Sequence, residues 1–289
     1  MVSARRVRIG VWRRNSAALL LCVASVAPAL AEQKPLWEFG LGVGALSFAD
    51  YRGADTSHVY PLPTPYLLYR GKLLRADREG VRGLLFNREF VELNISMNAT
   101  TPVRSKDTPA RHGMPDLRST VEIGPSLDLH LWKTPDRRIR LDLRMPVRGA
   151  LTVEASPRMI GWFFAPRLNL DFFDVAGHQG WNLGLLAGPL FADHRYHDYF
   201  YTVAPQFATA DRPAYKARGG YSGSQVLASL SRRSAGYWVG GFVRYDTLRG
   251  AAFEASPLVR SDHYWVAGIG IAWMIGQSST LVEVREQRP

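Results

Sequence analysis

The sequence predicts an all-β fold: a closed antiparallel transmembrane β-barrel of about twelve strands behind a cleaved signal peptide. Three observations carry this reading. The N-terminus has the order of an export leader, the rest of the chain alternates apolar and polar residues with period two, and short connections alternate with long ones.

The leader opens with a basic region of Arg5, Arg6, Arg8, Arg13 and Arg14. An apolar stretch from Ala17 to Leu30 follows and ends in Ala29-Leu30-Ala31, a small-x-small triplet that places cleavage after Ala31. That stretch is about 14 residues, short of the roughly 20 a spanning helix needs. The predicted organisation is a signal peptide over 1–31, a barrel over 32–276 and a polar tail over 277–289. Cys22 is the one cysteine and lies within the leader, so the exported part is expected to have neither a disulfide nor a thiolate metal site. Without the five leader arginines, 31 basic residues face 25 acidic ones, leaving about +6. A mildly basic exported protein points to anionic partners such as lipopolysaccharide or peptidoglycan. Nucleic acid is not implied, because the arginines are spread over alternating segments rather than gathered on one helix or patch.

The alternation is sustained. Val121, Ile123, Leu127, Leu129 and Leu131 interleave with Glu122, Gly124, Ser126, Asp128 and His130, and Ile139, Leu141, Leu143, Met145 and Val147 with Arg138, Arg140, Asp142 and Arg144. Such runs are strands, with one set of side chains on each face. Alternation alone leaves a soluble sandwich and a membrane barrel open. Connection lengths separate them. Strands are predicted near 36–47, 64–70, 72–77, 80–86, 90–99, 118–131, 138–149, 159–173, 180–192, 220–231, 236–248 and 263–276. Short turns follow every second strand and longer loops the others, with 77–79 as the exception; an even-stranded outer-membrane barrel has this parity, with both termini on the periplasmic side. Tryptophans agree: Trp37, Trp132, Trp181, Trp238 and Trp273 fall at the periplasmic strand ends and Trp162 and Trp265 at the outer ends, where indoles favour the membrane–water interface.

On this parity Glu122, Asp128, Arg138, Arg140, Asp142, Arg144, Arg167 and Asp171 share the lumen. Cross-strand ion pairs are the default expectation for them; an anion-selective path is the sharper alternative. The loop from Arg249 to Asp262 joins the last two strands. It is apolar for a surface loop, so it is expected to fold over the barrel mouth with Phe253 and Leu258 buried.

Several segments resemble one family. The run Arg244-Tyr245-Asp246-Thr247-Leu248-Arg249-Gly250-Ala251-Ala252-Phe253-Glu254-Ala255-Ser256-Pro257-Leu258-Val259 is similar to the signature of the MltA-interacting protein / OmpV family. Tyr201-Thr202-Val203, Tyr215 with Gly219-Gly220-Tyr221, and Tyr60-Pro61-Leu62-Pro63 before Tyr66-Leu67-Leu68-Tyr69 extend the likeness over nearly all of the chain beyond the leader. The resemblance implies a Gram-negative outer-membrane location. It also implies a scaffold holding a lytic transglycosylase near a bifunctional penicillin-binding protein. One departure is the tail from Gln277 to Pro289, which continues where family members finish; its polar composition reads as a disordered periplasmic extension.

The remaining chemistry is sparse. His194 and His197, with Asp193 and Asp198, look like a ligand cluster, but in an irregular loop they read as solvated histidines. A barrel lipid hydrolase would need a serine, a histidine base and a group orienting that base. Ser126 and His130 share a face yet lie about 13 Å apart along one strand, and Ser256 with His263 is the other pairing. No metal or cofactor is expected. The leading expectation is a non-enzymatic scaffold or adaptor for peptidoglycan-remodelling enzymes, followed by a narrow channel for small polar or anionic solutes and then by the hydrolase.

Overall fold

The computed structural model describes residues 32–71, 74–77 and 80–284. The expected signal peptide and the end of the tail lie outside these residues. Among them fifteen strands form, with one α-helix, α1 (His194–Tyr201). A small sheet pairs β1 (Glu32–Pro35) with β15 (Leu281–Val284). The barrel contains β2 (Trp37–Ala49), β3 (Ser57–Arg70), β4 (Leu74–Asp77), β5 (Gly80–Asn87), β6 (Val91–Thr100), β7 (Thr120–Lys133), β8 (Ile139–Thr152), β9 (Met159–Phe164), β10 (Arg167–Phe173), β11 (Trp181–Ala192), β12 (Gly220–Arg233), β13 (Tyr237–Thr247) and β14 (His263–Gln277).

Every neighbouring pair is antiparallel, and the pairing returns on itself. β14 bonds to β2, while β9 and β10 both bridge β8 and β11, acting as two halves of one interrupted strand. The ring therefore has twelve positions, as predicted. The interruption falls at Ala165 and Pro166, where the proline has no N–H to donate to the ladder. With no free edge around most of the ring, the backbone polar groups are satisfied without water, as hydrocarbon demands.

Burial separates the two faces. Leu127, Val147, Leu168, Val243, Ile269 and Trp273 are exposed and face lipid, whereas Glu122, Asp128, Asp142, Arg144 and Arg148 are buried inside. The apolar core is displaced to the outer end, where the long loops meet: Tyr51, Val103, Leu117, Tyr196, Phe200, Tyr201, Leu248 and Phe253 pack together.

Four expectations are corrected. β3 begins at Ser57 rather than near 64, despite three prolines. Arg138 lies at the exposed turn before β8, beside Asp136 at 3.8 Å, because the chain reverses there through Arg137 at φ 56°. Trp238 points inward, opposite Arg233 and beside Tyr66 at 5.9 Å, because its outward neighbour on β13 is Tyr237. Within the tail, Leu281–Val284 forms a strand instead of a disordered extension.

Candidate functional site

Two features occupy the interior, a charged wall and a plug of loops. The wall spans β6, β7, β8 and β10. Register places Glu92 opposite Asp128, Asp128 opposite Arg144, His130 opposite Asp142 and Asp171 opposite Arg140, so alternation delivers all of them to one face. Arg140 reaches Asp142 at 2.9 Å and Asp171 at 3.4 Å, and Arg144 lies 3.6 Å from Asp142 and 3.9 Å from Asp128. Arg148 meets Glu122 at 3.3 Å. Arg167 sits opposite Arg144 in the β8–β10 ladder. Charges removed from water this far need partners, and the cross-strand pairs supply them.

Glu92 and Asn94 obey the same parity and join this set, and Arg148 faces inward as the alternation of β8 expects. Asn94 donates to Glu92 and to Asp128, at 3.0 Å each. The Asp128 carboxylate beside Arg144 is therefore held by a neutral amide as well as by charge. The two serine–histidine pairings that a hydrolase would use do not form. Ser126 donates to Asp128 at 2.6 Å, and His130 Nδ1 lies 2.9 Å from Asp142. Ser256 donates to the carbonyl of Tyr201, while His263 lies against Asp262.

The plug is built around α1, where an irregular loop was expected. Asp193 caps the helix by accepting from Tyr196 N at 2.9 Å. Gly161, at φ 139°, lets the helix start lie against β9: a Cβ there would stand 2.2 Å from Asp193 Oδ1. His194 is exposed but His197 is fully buried, so helical geometry divides a pair that the sequence reading left in solvent. His197 Nδ1 faces the carbonyl of Arg218, which can only accept, so Nδ1 carries the proton and Nε2 accepts from Ser222. Burial holds the imidazole below its ordinary pKa, which keeps it neutral. Ser222 is itself buried, and Phe253 covers His197 edge-on at 4.6 Å. The pair links α1 to β12 beneath the Phe253 ring.

The family-like segment supplies the rest of the plug. Arg244 and Asp246 face the lumen and pair at 2.6 Å, and Arg52 approaches Asp246 at 3.7 Å. Tyr245 faces outward beside Trp265, at 4.9 Å, in the outer aromatic girdle. Beyond them Leu248, Phe253 and Leu258 have no exposure, and Ala251 and Ser256 are nearly buried. Phe253 stacks on Tyr201 with centroids 3.6 Å apart and planes 7° from parallel. Gly250, at φ 76°, turns the chain, and its N–H is taken by Glu254 at 2.8 Å. Pro257 precedes Leu258, whose carbonyl accepts from Tyr51 at 2.7 Å. Burial raises the pKa of Tyr51 and Tyr201, so both stay protonated donors. Arg111 pins the 101–119 loop to α1 through the Phe200 carbonyl at 3.0 Å. Plug and wall are joined where Tyr196 donates to Glu122 at 2.9 Å. Among the described residues no cluster of three or more His, Cys, Asp or Glu side chains could hold a metal ion.

Outer membrane protein Omp26La of Vibrio anguillarum is 23% identical over 212 residues, covering 71% of this chain and 75% of its own. Two solved structures align over most of the chain. A bacterial polysaccharide outer membrane secretin covers 83% of this chain and 99% of its own, at 8% identity and a TM-score of 0.40. OprG from Pseudomonas aeruginosa covers 84% and 95%, at 7% identity and a TM-score of 0.23. The family model described as MltA-interacting protein MipA matches residues 41–275, from the first barrel strand to the last. The chain belongs to the MltA-interacting protein MipA family and is a β-barrel of the Gram-negative outer membrane.

Proposed function

We propose that this barrel is a non-enzymatic adaptor, which presents its periplasmic end to peptidoglycan-remodelling enzymes. A lytic transglycosylase is the first partner, as the family's name states for its founding member, and a penicillin-binding protein the second. The observation that carries this reading is the plug: Phe253, Leu258, Leu248 and Val203 fill the outer mouth with essentially no exposure. A mouth packed to this degree belongs to a structural barrel more than to an open conduit. The buried ion pairs of the wall fit the same role, because they rigidify the cylinder that holds the periplasmic turns in place. Lipopolysaccharide is the expected neighbour at the outer rim.

The test combines two measurements on one detergent-solubilised preparation. Immobilised protein should retain a lytic transglycosylase from envelope extract, and the same protein in a planar bilayer should conduct no more than the lipid baseline. Open-channel steps without transglycosylase capture would replace the adaptor with a pore for small polar or anionic solutes. Release of fatty acid from phospholipid vesicles would instead point to a hydrolase.

A further inference from the structure

A barrel strand in lipid is normally hydrogen-bonded along both edges, because hydrocarbon supplies neither donors nor acceptors. β3 departs from this. Against β2 it is paired from Ser57, opposite Ala49, to Tyr69, opposite Trp37. Its other edge is paired only at Tyr69 with Ala76 and Arg70 with Arg75. β4 and β5 have four and eight residues, and β5 climbs β6 no further than Ile95. Among the described residues, then, nothing pairs with the facing edges of Ser57–Leu68 of β3 and Ser96–Thr100 of β6. The wall has a slot. Ala267, Ser47 and Val59 share one row, and Trp265 lies two residues further out, so the slot from Val59 to Leu67 falls within the apolar band.

The rim is adapted to the absence of a neighbour. Arg70 donates to the Leu36 carbonyl, so even-numbered residues of β3 turn their N–H toward β2 and odd-numbered ones toward the slot. Pro61, Pro63 and Pro65 are all odd. Three donors that would have been orphaned in hydrocarbon do not exist, while the β2 ladder loses none. The same prolines argue against a partner strand from another chain, which would need those donors to pair.

Behind the rim the inner surface is apolar and open. Tyr60, Leu62 and Thr64 face inward, opposite Leu46, Gly44 and Gly42. Inward side chains elsewhere are covered, as Glu122 and Asp142 are at 1% exposure, yet Leu62 is 44% exposed and Ser57–Pro63 is exposed on both faces. Tyr60 stacks on Phe48 at 4.9 Å, and Phe242 lies against Gly268 beside Leu46. We propose that an acyl chain of a surrounding outer-membrane lipid enters the barrel through the slot and lies on Tyr60, Leu62 and Leu46. Water is a poor occupant of the β3 side, because Pro61, Pro63 and Pro65 remove three donors there and Tyr60, Leu62 and Leu46 form a largely apolar surface.

The test uses site-directed spin labels. Cys22 is the one native cysteine, so a Cys22→Ser background accepts a single nitroxide at Leu62→Cys or, as a repeat site, Tyr60→Cys. Val59→Cys is the lipid-facing reference and Leu186→Cys, inward on a wall paired along both edges, is the enclosed one. Heat-modifiable gel migration checks that each variant has folded into phosphatidylcholine vesicles. Power saturation should give Leu62 an oxygen accessibility within about twofold of Val59 and a nickel-chelate accessibility about tenfold below an exposed loop label, since hydrocarbon excludes ions. High nickel accessibility at Leu62 would make the slot an aqueous window. Low accessibility to both probes, as at Leu186, would mean that the wall is closed. Either result overturns the proposal.

Discussion

Replacing Phe253 by alanine separates the stability of the plug from that of the barrel. Its ring has no exposure, stacks on Tyr201 and meets the edge of His197. Removing a buried phenyl group costs about 3–5 kcal/mol when the cavity cannot collapse. Collapse is resisted here by α1 on one side and by the ends of β12 and β13 on the other. The lost aromatic pairing alone accounts for about 0.5–1.5 kcal/mol of that figure. The loss should appear locally, because the loop's anchors depend on the ring's position. Ala252 N bonds to Tyr221 O, Leu248 N to Asp262 O and Arg260 N to Gly53 O. Native-state hydrogen exchange reads these amides directly, and their opening free energies should fall by about 3–5 kcal/mol, faster exchange by roughly two to four decades. Amides within β13 should keep their wild-type rates. If the loop amides change by less than about 1 kcal/mol, the plug is held by its hydrogen bonds and not by the aromatic stack. If the β13 amides fall equally, plug and barrel are one cooperative unit, and the separation assumed here is wrong.

Charge on the lipid face should be penalised by depth. Met145→Arg, near the middle of β8, should cost about 2–4 kcal/mol in refolding into vesicles, whereas Leu141→Arg, two residues from the strand's periplasmic end, should cost about 0–1. Equal penalties would mean that β8 is not tilted across the bilayer as its register requires. His197 gives a pH prediction. Burial, aided by Arg52, holds its folded pKa below the unfolded value, so the unfolded plug takes up the proton first. Plug stability is then full above the unfolded value of about 6.5 and declines as pH falls through it, by up to about 1.4 kcal/mol per unit. The hydrogen bond to the Arg218 carbonyl, then Asp193 and Asp198, oppose the shift without reversing it. Loop-amide exchange measured between neutral and mildly acidic pH should show this decline, and His197→Gln should flatten it; an unchanged slope in that variant assigns the dependence to other groups.

The barrel was legible because membrane strands write their two faces in strict alternation. Glu122, Asp128 and Asp142 were assigned inward, and Leu127 and Leu168 outward, from period alone. What parity could not give was the end of each strand. Arg138 continues the alternation of β8 but falls one residue before it, where the chain is still turning. Trp238 has the composition of an interfacial residue and the parity of a lumen one, and parity prevails. α1 was missed for a different reason. Eight residues rich in histidine and tyrosine carry little helical signal, and the cap at Asp193 is the one local cue. The helix forms because Tyr196, His197, Phe200 and Tyr201 bury one side against the strand ends, a tertiary contribution that no local pattern encodes. β3 differs again: prolines such as Pro61 and Pro63 disfavour a central strand, and the strand extends over them because, among the described residues, its far edge is paired only at Tyr69 and Arg70.

The two halves of the lumen wall solve the same packing problem differently. Twelve positions enclose more volume than side chains of ordinary size fill by themselves. On β6, β7, β8 and β10 long charged side chains reach inward and are neutralised by one another, so volume is filled at the cost of desolvation. On β13, β14 and β2 the inward positions include Gly240, Gly268, Gly270, Gly42 and Gly44, which bring aromatic rings such as Phe242 flat against the backbone. Small residues on one side and long ones on the other shift the free space of the lumen away from the ion pairs and toward β2 and β3. The unpaired edge of β3 lies on that side. The slot's other rim is Ser96–Thr100 of β6, where Asn98 donates to Glu122 at 3.2 Å and Arg148 donates to Ser96 at 3.3 Å, so an acyl chain meets Leu46, Tyr60 and Leu62 on the β3 side alone. The slot thus lies where the two halves meet: Glu122 and Arg148 stay buried through their own pairing, and the apolar half offers the surface that faces the membrane.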